Sequence, residues 1–140
     1  MEEFMTVMNE VTRAMKAHFQ RVLQAYGVHA GQQFILKCLW EEEGLAPGEI
    51  AERLGLETPT VSRAVQRMER AGFVQRQPDP ADARLVRVYL TDSGRSLEQV
   101  INTVVEDATR QALADFSAEE QAALLALLRR LQRNLVAKLN

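Results

Sequence analysis

The sequence contains only one cysteine, Cys38, among its 140 residues. A single cysteine excludes an internal disulfide and is typical of a reducing compartment, so we expect a cytoplasmic protein. Long apolar runs are also missing: none reaches the roughly 18 residues that a membrane-spanning helix needs, and the first residues lack the basic start of a signal peptide. The sequence therefore predicts no membrane partner.

Catalytic and metal-binding patterns are equally scarce. The two histidines, His18 and His29, lie far from each other and from Cys38, so the spacing predicts no recognisable metal site. The chain has no glycine-rich phosphate loop, no nucleophile elbow and no clustered catalytic triad. We therefore expect neither an enzyme nor a bound metal or cofactor.

Most of the chain has the periodicity of amphipathic helices. Helices are predicted at 3–25, 31–42, 47–54 and 59–71, then for about 20 residues from 93, and finally after the capping box of Ser117 and Glu120. The helix at 31–42 is apolar on several sides, at Phe34 among others, so we expect it to be buried on more than one side. Thr58 is the predicted N-cap of the fourth helix, with Pro59 as its first residue.

Two short segments alternate instead like strands. They cover 73–77 and 85–90 and flank a loop at 78–84. The pattern predicts a mainly α fold with a small β hairpin, in which a helix-turn-helix at 47–71 is followed by a hairpin called a wing. We expect one domain over 1–140.

The helix-turn-helix places polar side chains where a DNA groove would meet them. Its turn requires a small residue at Ala51, a residue tolerant of positive φ at Gly55 and a branched apolar contact at Val61. With the apolar residues inward, short hydroxyls and then long arginine and glutamine side chains point outward, which suits phosphates and base edges. The candidate DNA contacts on this helix are Thr58, Thr60, Ser62, Arg63, Gln66 and Arg67.

The wing supplies a second set of candidates. Asp82 and Arg84 are two residues apart in a tight loop, so the carboxylate can orient a guanidinium that enters a narrow minor groove. The alternative is an ordinary turn with a surface ion pair worth about 0–1 kcal/mol. The candidate DNA contacts in and beside the wing are Arg76, Asp82, Arg84 and Arg87.

Charge is unevenly distributed along the chain. Residues 58–90 carry six arginines and three acidic residues, a net charge of +3, so the rest must sum to −5 if the whole chain is −2. A basic segment on an acidic body is typical of a DNA-binding protein. The alternative for a lone helix is a solvated charged face, which the neighbouring turn and wing make less favourable here.

The order and spacing of these segments resemble a known family. The run Asp82-Ala83-Arg84, with Leu90-Thr91 after five intervening residues, follows Thr60-Val61-Ser62-Arg63 and Gly72-Phe73-Val74. This pattern is similar to that of the multiple-antibiotic-resistance regulator (MarR) family, over the whole length of the chain.

The resemblance implies a winged helix-turn-helix repressor that binds a palindromic site in double-stranded DNA as a homodimer. Residues 31–91 would form the winged-helix region, and 1–30 and 93–140 the long dimerisation helices. The leucine-rich final helix, with Leu124, Leu128, Leu131 and Leu135 on one side, favours a partner independently of the resemblance.

The resemblance also implies a small aromatic or acidic ligand that releases the DNA. The candidate ligand contacts are His18, Arg21, Tyr26 and His29, since arginine pairs with carboxylates and rings stack. Two other functions stay open at this point. One is a redox-sensing regulator that uses Cys38, although an inert buried cysteine is favoured there. The other is a winged-helix protein-interaction module that does not bind DNA.

Overall fold

A computed structural model describes the backbone of residues 1–139 and the side chains of residues 1–137. The helices are α1 (Glu2–Leu23), α2 (Gln32–Glu41), α3 (Pro47–Leu54), α4 (Thr58–Arg70), α5 (Asp92–Ala112) and α6 (Ala118–Leu139). A 3-10 turn at Gln24–Tyr26 extends α1, and the strands are β1 (Val74–Pro78) and β2 (Val86–Leu90). The predicted mainly α fold with a two-stranded wing is confirmed.

Element ends differ from the predictions by one or two residues, and the difference matters at α4. Thr58 was predicted to be the N-cap, which is wrong: Glu57 occupies that position and makes no side-chain capping hydrogen bond. The carbonyl of Glu57 already accepts from the backbone N–H groups of Thr60 and Val61, so the first helical turn begins at Thr58. Pro59 still lies in the first turn, where its missing N–H has no cost.

The core is made where α2, α3, α4 and the wing meet. Val61, Val65 and Met68 of α4 are fully buried there, together with Leu36 of α2 and Ile50 of α3. Their positions follow the predicted helical spacing, which is why one face of α4 stays polar. The buried residues of α2 extend over more than half of its circumference, as predicted, but Phe34 is 53% exposed and lies on the remaining face.

The wing is tied to the loop that precedes α3. β1 and β2 pair antiparallel in a register that sets Arg76 opposite Val88 and Gln77 opposite Arg87. The backbone of β2 also bonds to this loop, since Gly44 N–H donates to Val88 O and Val88 N–H to Leu45 O, each at 2.9 Å. The sheet is therefore anchored along one edge close to the helix-turn-helix.

The chain divides into two compact units, Met1–Val105 and the described residues from Glu106 onward. The second unit contains α6, which begins at the predicted capping box: Glu120 N–H donates to Ser117 Oγ at 3.1 Å, and Ser117 N–H donates to Glu120 Oε1 at 2.9 Å. In the part of the chain that the structure describes, no helix is both long and apolar enough to cross a bilayer.

Candidate nucleic-acid interface

Helices α3 and α4 form the helix-turn-helix that the sequence predicts. Ala51 is 2% exposed, and the turn passes through Gly55 in the left-handed conformation, with φ of 67°. Leu56 N–H then donates to Ala51 O at 2.9 Å and closes the turn. Because Val61 is fully buried against this turn region, the direction of α4 is fixed from its first turn.

The outward face of α4 carries most of the predicted contacts. Arg63, Gln66 and Arg67 are exposed, and so are Thr58 and Thr60 at the start of the helix. The hydroxyls thus lie near the helix N-terminus, where backbone N–H groups favour a phosphate, and the longer side chains follow. The arrangement is that of a helix able to enter the major groove.

Ser62 is the exception on α4, because it is half-buried. Its position between the buried face and the exposed face follows from the 100° step per residue of a helix. A serine placed there can contact a groove only at the side of α4.

The unpaired positive charge of residues 58–90 lies on α4, because the arginines of this segment outside α4 form ion pairs. Each of the three acidic residues in this segment binds an arginine of the same segment: Glu69 with Arg76, Asp79 with Arg87, and Asp82 with Arg84. Among the described side chains, no ion pair involves the remaining three arginines, which are Arg63, Arg67 and Arg70. The net +3 predicted from the sequence therefore lies on one helix.

The wing tip has the geometry that the sequence predicts. Arg84 is bound by Asp82 through two guanidinium contacts, Nε to Oδ1 at 3.1 Å and Nη2 to Oδ2 at 3.4 Å. Asp82 Oδ1 also accepts from the Arg84 backbone N–H, and these hydrogen bonds lower the pKa of Asp82. The Arg84 side chain is nonetheless 92% exposed, so it is oriented by its partner without being covered.

Arg76 and Arg87 are placed differently from Arg84. Glu69 binds the Arg76 guanidinium at 3.0 Å and accepts from its backbone N–H at 2.9 Å, contacts that lower the pKa of Glu69. Arg87 is two-thirds buried and holds Asp79, whose pKa it lowers. Both arginines are thus engaged by the protein, and sequence reasoning assigned no role to Glu69 or Asp79. Glu69 is seven residues from Arg76 and Asp79 is eight residues from Arg87, so no short motif in the sequence indicated these pairs.

A cleft beside α4 was also absent from the sequence prediction. It has a volume of about 350 Å³ and lies between the start of α2 and the exposed face of α4. His29 lines it together with Arg63 and Arg67, and its apolar part includes Ile35 and Leu56. The structure therefore brings one predicted ligand contact next to two predicted DNA contacts.

The other predicted ligand contacts are not in this cleft. Arg21 donates from Nη2 to His18 Nδ1 at 3.2 Å on α1, and His18 stacks edge-on with Phe19 at 6.0 Å between ring centroids. Tyr26 is 44% exposed after α1. In the described structure, His18 and Arg21 form a local pair that is separate from His29.

Cys38 is buried, as predicted, and burial raises the pKa of its thiol. Arg53 lies close enough to oppose this shift, a neighbour that sequence reasoning missed because it belongs to α3. The net direction disfavours the thiolate, which is the reactive form.

Among the described residues, no group of three or more His, Cys, Asp or Glu side chains could hold a metal ion.

Comparison with known proteins agrees with this geometry. The family model described as MarR family matches residues 29–86. The HTH-type transcriptional regulator PecS of Dickeya dadantii (strain 3937) is 32% identical over 135 residues, which cover 92% of this chain and 80% of PecS. The matched segment contains the helix-turn-helix and most of the wing, and the similarity to PecS extends over nearly the whole chain.

Two solved structures have the same fold. The transcriptional regulator SlyA superposes with a TM-score of 0.87 at 24% identity, over 96% of this chain and 95% of SlyA. A complex of S. aureus MepR with DNA gives a TM-score of 0.86 at 23% identity, over 94% of this chain and 97% of MepR. These likenesses show a shared fold, in which helices precede and follow a winged helix-turn-helix along the chain.

Proposed function

Because the chain belongs to the MarR family, whose members are transcriptional regulators and not enzymes, we propose that it is a homodimeric repressor that binds a palindromic site in double-stranded DNA. One observation carries the DNA-binding part. The three arginines of 58–90 that have no acidic partner among the described side chains, Arg63, Arg67 and Arg70, all lie on the exposed side of the second helix of a helix-turn-helix. An anionic groove is the partner such a face fits.

The contacts divide by type. We assign base edges of the major groove to Arg63, Gln66 and Arg67, because long side chains from one helical face reach them. The hydroxyls of Thr58, Thr60 and Ser62, near the start of α4, are assigned to phosphates of the DNA backbone. Arg84, oriented by Asp82, is assigned to the adjacent minor groove. The structural relative MepR was crystallised with DNA, which supports DNA as the partner of this fold.

The dimer part of the proposal is supported by apolar side chains at both ends of the chain. Phe4, Met5 and Val11 of α1 are 45–56% exposed, and Leu128 and Leu135 of α6 are 43% and 60% exposed. Such surface is unusual unless another chain covers it. Residues 1–30 and 93–140 are accordingly assigned to dimerisation, and 31–91 to DNA. Two copies of α4 about 34–36 Å apart would meet successive major-groove faces of a palindrome.

A ligand that releases the DNA is also part of the proposal, and the cleft beside α4 is the observation that favours it. A small aromatic carboxylate would set its ring against Ile35 and Leu56 and its charge against Arg63 and Arg67. The same two guanidinium groups would then be unavailable to DNA. A ligand shifts the equilibrium only as far as it prefers the free protein over the DNA complex. As a DNA-binding regulator, the protein would act in the cytoplasm.

The DNA-binding proposal is tested by measuring affinity for a duplex selected from a random library by the unaltered protein. Arg63→Ala should weaken binding by about 1–3 kcal/mol at fixed salt, if it contacts a base with two hydrogen bonds. The matched control is Arg133→Ala, which removes an exposed arginine from α6 and should leave affinity within a few tenths of a kcal/mol. No selectable duplex, or an affinity insensitive to Arg63→Ala, would count against the proposal.

The ligand proposal has its own test, with benzoate as the probe. Benzoate should weaken DNA binding by the unaltered protein, and His29→Ala should reduce that response while leaving DNA affinity in its absence unchanged. Peroxide serves as the probe of the alternative redox function. If peroxide released the DNA and Cys38→Ser abolished the effect, the regulator would be thiol-based in spite of the buried cysteine.

A further inference from the structure

Two aspartate–arginine pairs stabilise the wing, and they differ in exposure. At the tip, the Arg84 and Asp82 side chains are 92% and 45% exposed. At the base, the Arg87 and Asp79 side chains are 32% and 10% exposed. An arginine that contacts DNA has to present its guanidinium to solvent in the free protein, and Arg84 does so. Arg87 instead directs its guanidinium toward the protein.

The carboxylate of Asp79 performs two tasks with its two oxygens. Oδ1 accepts from the backbone N–H groups of Ala81 and Asp82, at 2.7 and 3.0 Å, and so fixes the turn that leads to the tip. Oδ2 accepts from Arg87 Nε at 2.5 Å. The backbone also closes the loop here, because Asp79 N–H donates to Leu85 O at 2.8 Å.

The other branch of the Arg87 guanidinium reaches outside the wing. Nη1 donates to the carbonyl of Gly44 at 2.7 Å and lies 3.8 Å from Glu49 Oε1 of α3. Gly44 is itself held against β2 through its N–H. The Arg87 side chain therefore connects the base of the wing to the loop and the helix that start the helix-turn-helix.

These contacts form a continuous path to the DNA-facing arginine. It runs from Gly44 to Arg87, to Asp79, to the Asp82 backbone, and from the Asp82 carboxylate to Arg84. We propose that Arg87 and Asp79 are a positioning pair that sets the reach of Arg84 relative to α4, and that Arg87 does not itself contact DNA. This inference rests on the proposed function. Without the pair, the tip would have to be ordered when DNA binds, at an entropic cost.

Asp79→Asn separates positioning from direct contact, because the two roles predict opposite signs. The asparagine keeps an oxygen for the two backbone N–H groups but loses the charge that holds Arg87. If Arg87 were a DNA contact, removing its acidic partner would free a cation and tighten binding. Positioning predicts binding weaker by roughly tenfold, which is the cost of ordering one or two side chains. Tighter or unchanged binding would overturn the inference.

A second experiment asks whether Arg87 acts through Arg84. Arg87→Ala should weaken binding in the unaltered background but cost little more in the Arg84→Ala background, since the residue to be positioned is then absent. The log–log salt slope should fall in Arg84→Ala and fall no further in the double variant. Additive losses with a further fall in slope would assign Arg87 to a phosphate instead.

A third measurement needs no DNA. Amide hydrogen exchange in residues 79–87 of the free protein should be faster in Asp79→Asn than in the unaltered chain, whereas α4 should be unaffected. Unchanged exchange would contradict the positioning role. If the unaltered protein selected no duplex, the proposed function would fail and the inference with it. If Arg63→Ala weakened binding while Asp79→Asn tightened it, only the positioning role would fail.

Discussion

Helices α4 and α6 are both amphipathic, but they differ in what covers their apolar side chains. On α4, Val61, Val65 and Met68 are fully buried within the chain, and the long side chains that remain exposed are polar. On α6, Leu128 and Leu135 are 43% and 60% exposed. The apolar side chains of the first helix are covered within the chain, whereas these two leucines of the second are exposed.

This difference separates two kinds of exposed surface. The outer face of α4 is charged and hydrated, so it is stable in water and free to meet DNA. The outer faces of α6 carry leucines, whose exposure costs about 25 cal/mol for each Å² of apolar surface. A large surface of that kind is the mark of an obligate interface, for which we expect more than about 2,000 Å² of buried area. Substitutions should therefore affect assembly on α6, and the core or DNA binding on α4.

The largest effect should come from a charge on α6. Leu131→Glu would place two unpaired carboxylates in the proposed dimer interface, at a cost of about 3–5 kcal/mol each, and the dimer should dissociate or unfold. Sedimentation at micromolar concentration measures this. The control Gln132→Glu adds the same charge at a neighbouring polar position and should stay dimeric. A stable monomer of the unaltered chain would break the comparison, because the α6 leucines would then need no partner.

The next effect is a cavity in the core below α4. Met68→Ala should lower the free energy of unfolding by about 2–5 kcal/mol, because a fully buried side chain is removed from a close-packed site. Gln66→Ala on the exposed face of the same helix should change it by less than about 0.5 kcal/mol. Urea unfolding followed by circular dichroism gives both values. Equal effects would show that α4 is not buried on one face only.

The wing should give a smaller effect that is confined to DNA. Arg84→Ala should weaken binding by about 1–2 kcal/mol, flatten any preference for A·T-rich flanks and lower the salt slope of the dimer by roughly two, with the core half-site preference unchanged. Asp82→Ala should give a milder form, since the arginine loses only its brace. A changed core preference with unchanged flanks and slope would place the wing elsewhere. Arg133→Ala on α6 is again the matched control.

The smallest effect concerns the start of α6. Ser117→Ala removes one half of the capping box and should lower the free energy of unfolding by about 1 kcal/mol. Hydrogen bonds from Ser117 lower the pKa of Glu120, so its contribution is complete above the ordinary glutamate pKa of about 4.3 and is lost as the pH falls through the lowered value. Acid titration of stability should show this loss in the unaltered chain and a smaller one in Ser117→Ala, because the backbone N–H at position 117 still donates to Glu120 while the hydroxyl contact is gone. An equal loss in both would mean that the Ser117 hydroxyl does not contribute to the box.

Local patterns decided the parts of the molecule whose causes lie within a few residues. The buried positions of α4 follow a 3.6-residue period, the capping box needs only Ser117 and Glu120, and Gly55 is required by the turn it occupies. The Asp82–Arg84 pair could be predicted for the same reason, because two residues two positions apart in a tight loop lie within reach of each other. Each of these depends on backbone geometry that a short segment carries with it.

Tertiary structure decided what distant residues do to one another. Arg87 contacts Gly44 across 43 positions of the chain and Asp79 across the wing loop, so the structure pairs a predicted DNA contact with groups of its own chain. His29 meets Arg63 and Arg67 in one cleft only because α2 packs beside α4. Phe34 is exposed because it lies on the narrow face of α2 that the core does not cover. Hydrophobic periodicity states which face of a helix is apolar, but the packing of whole elements determines which faces are covered and which charges find partners.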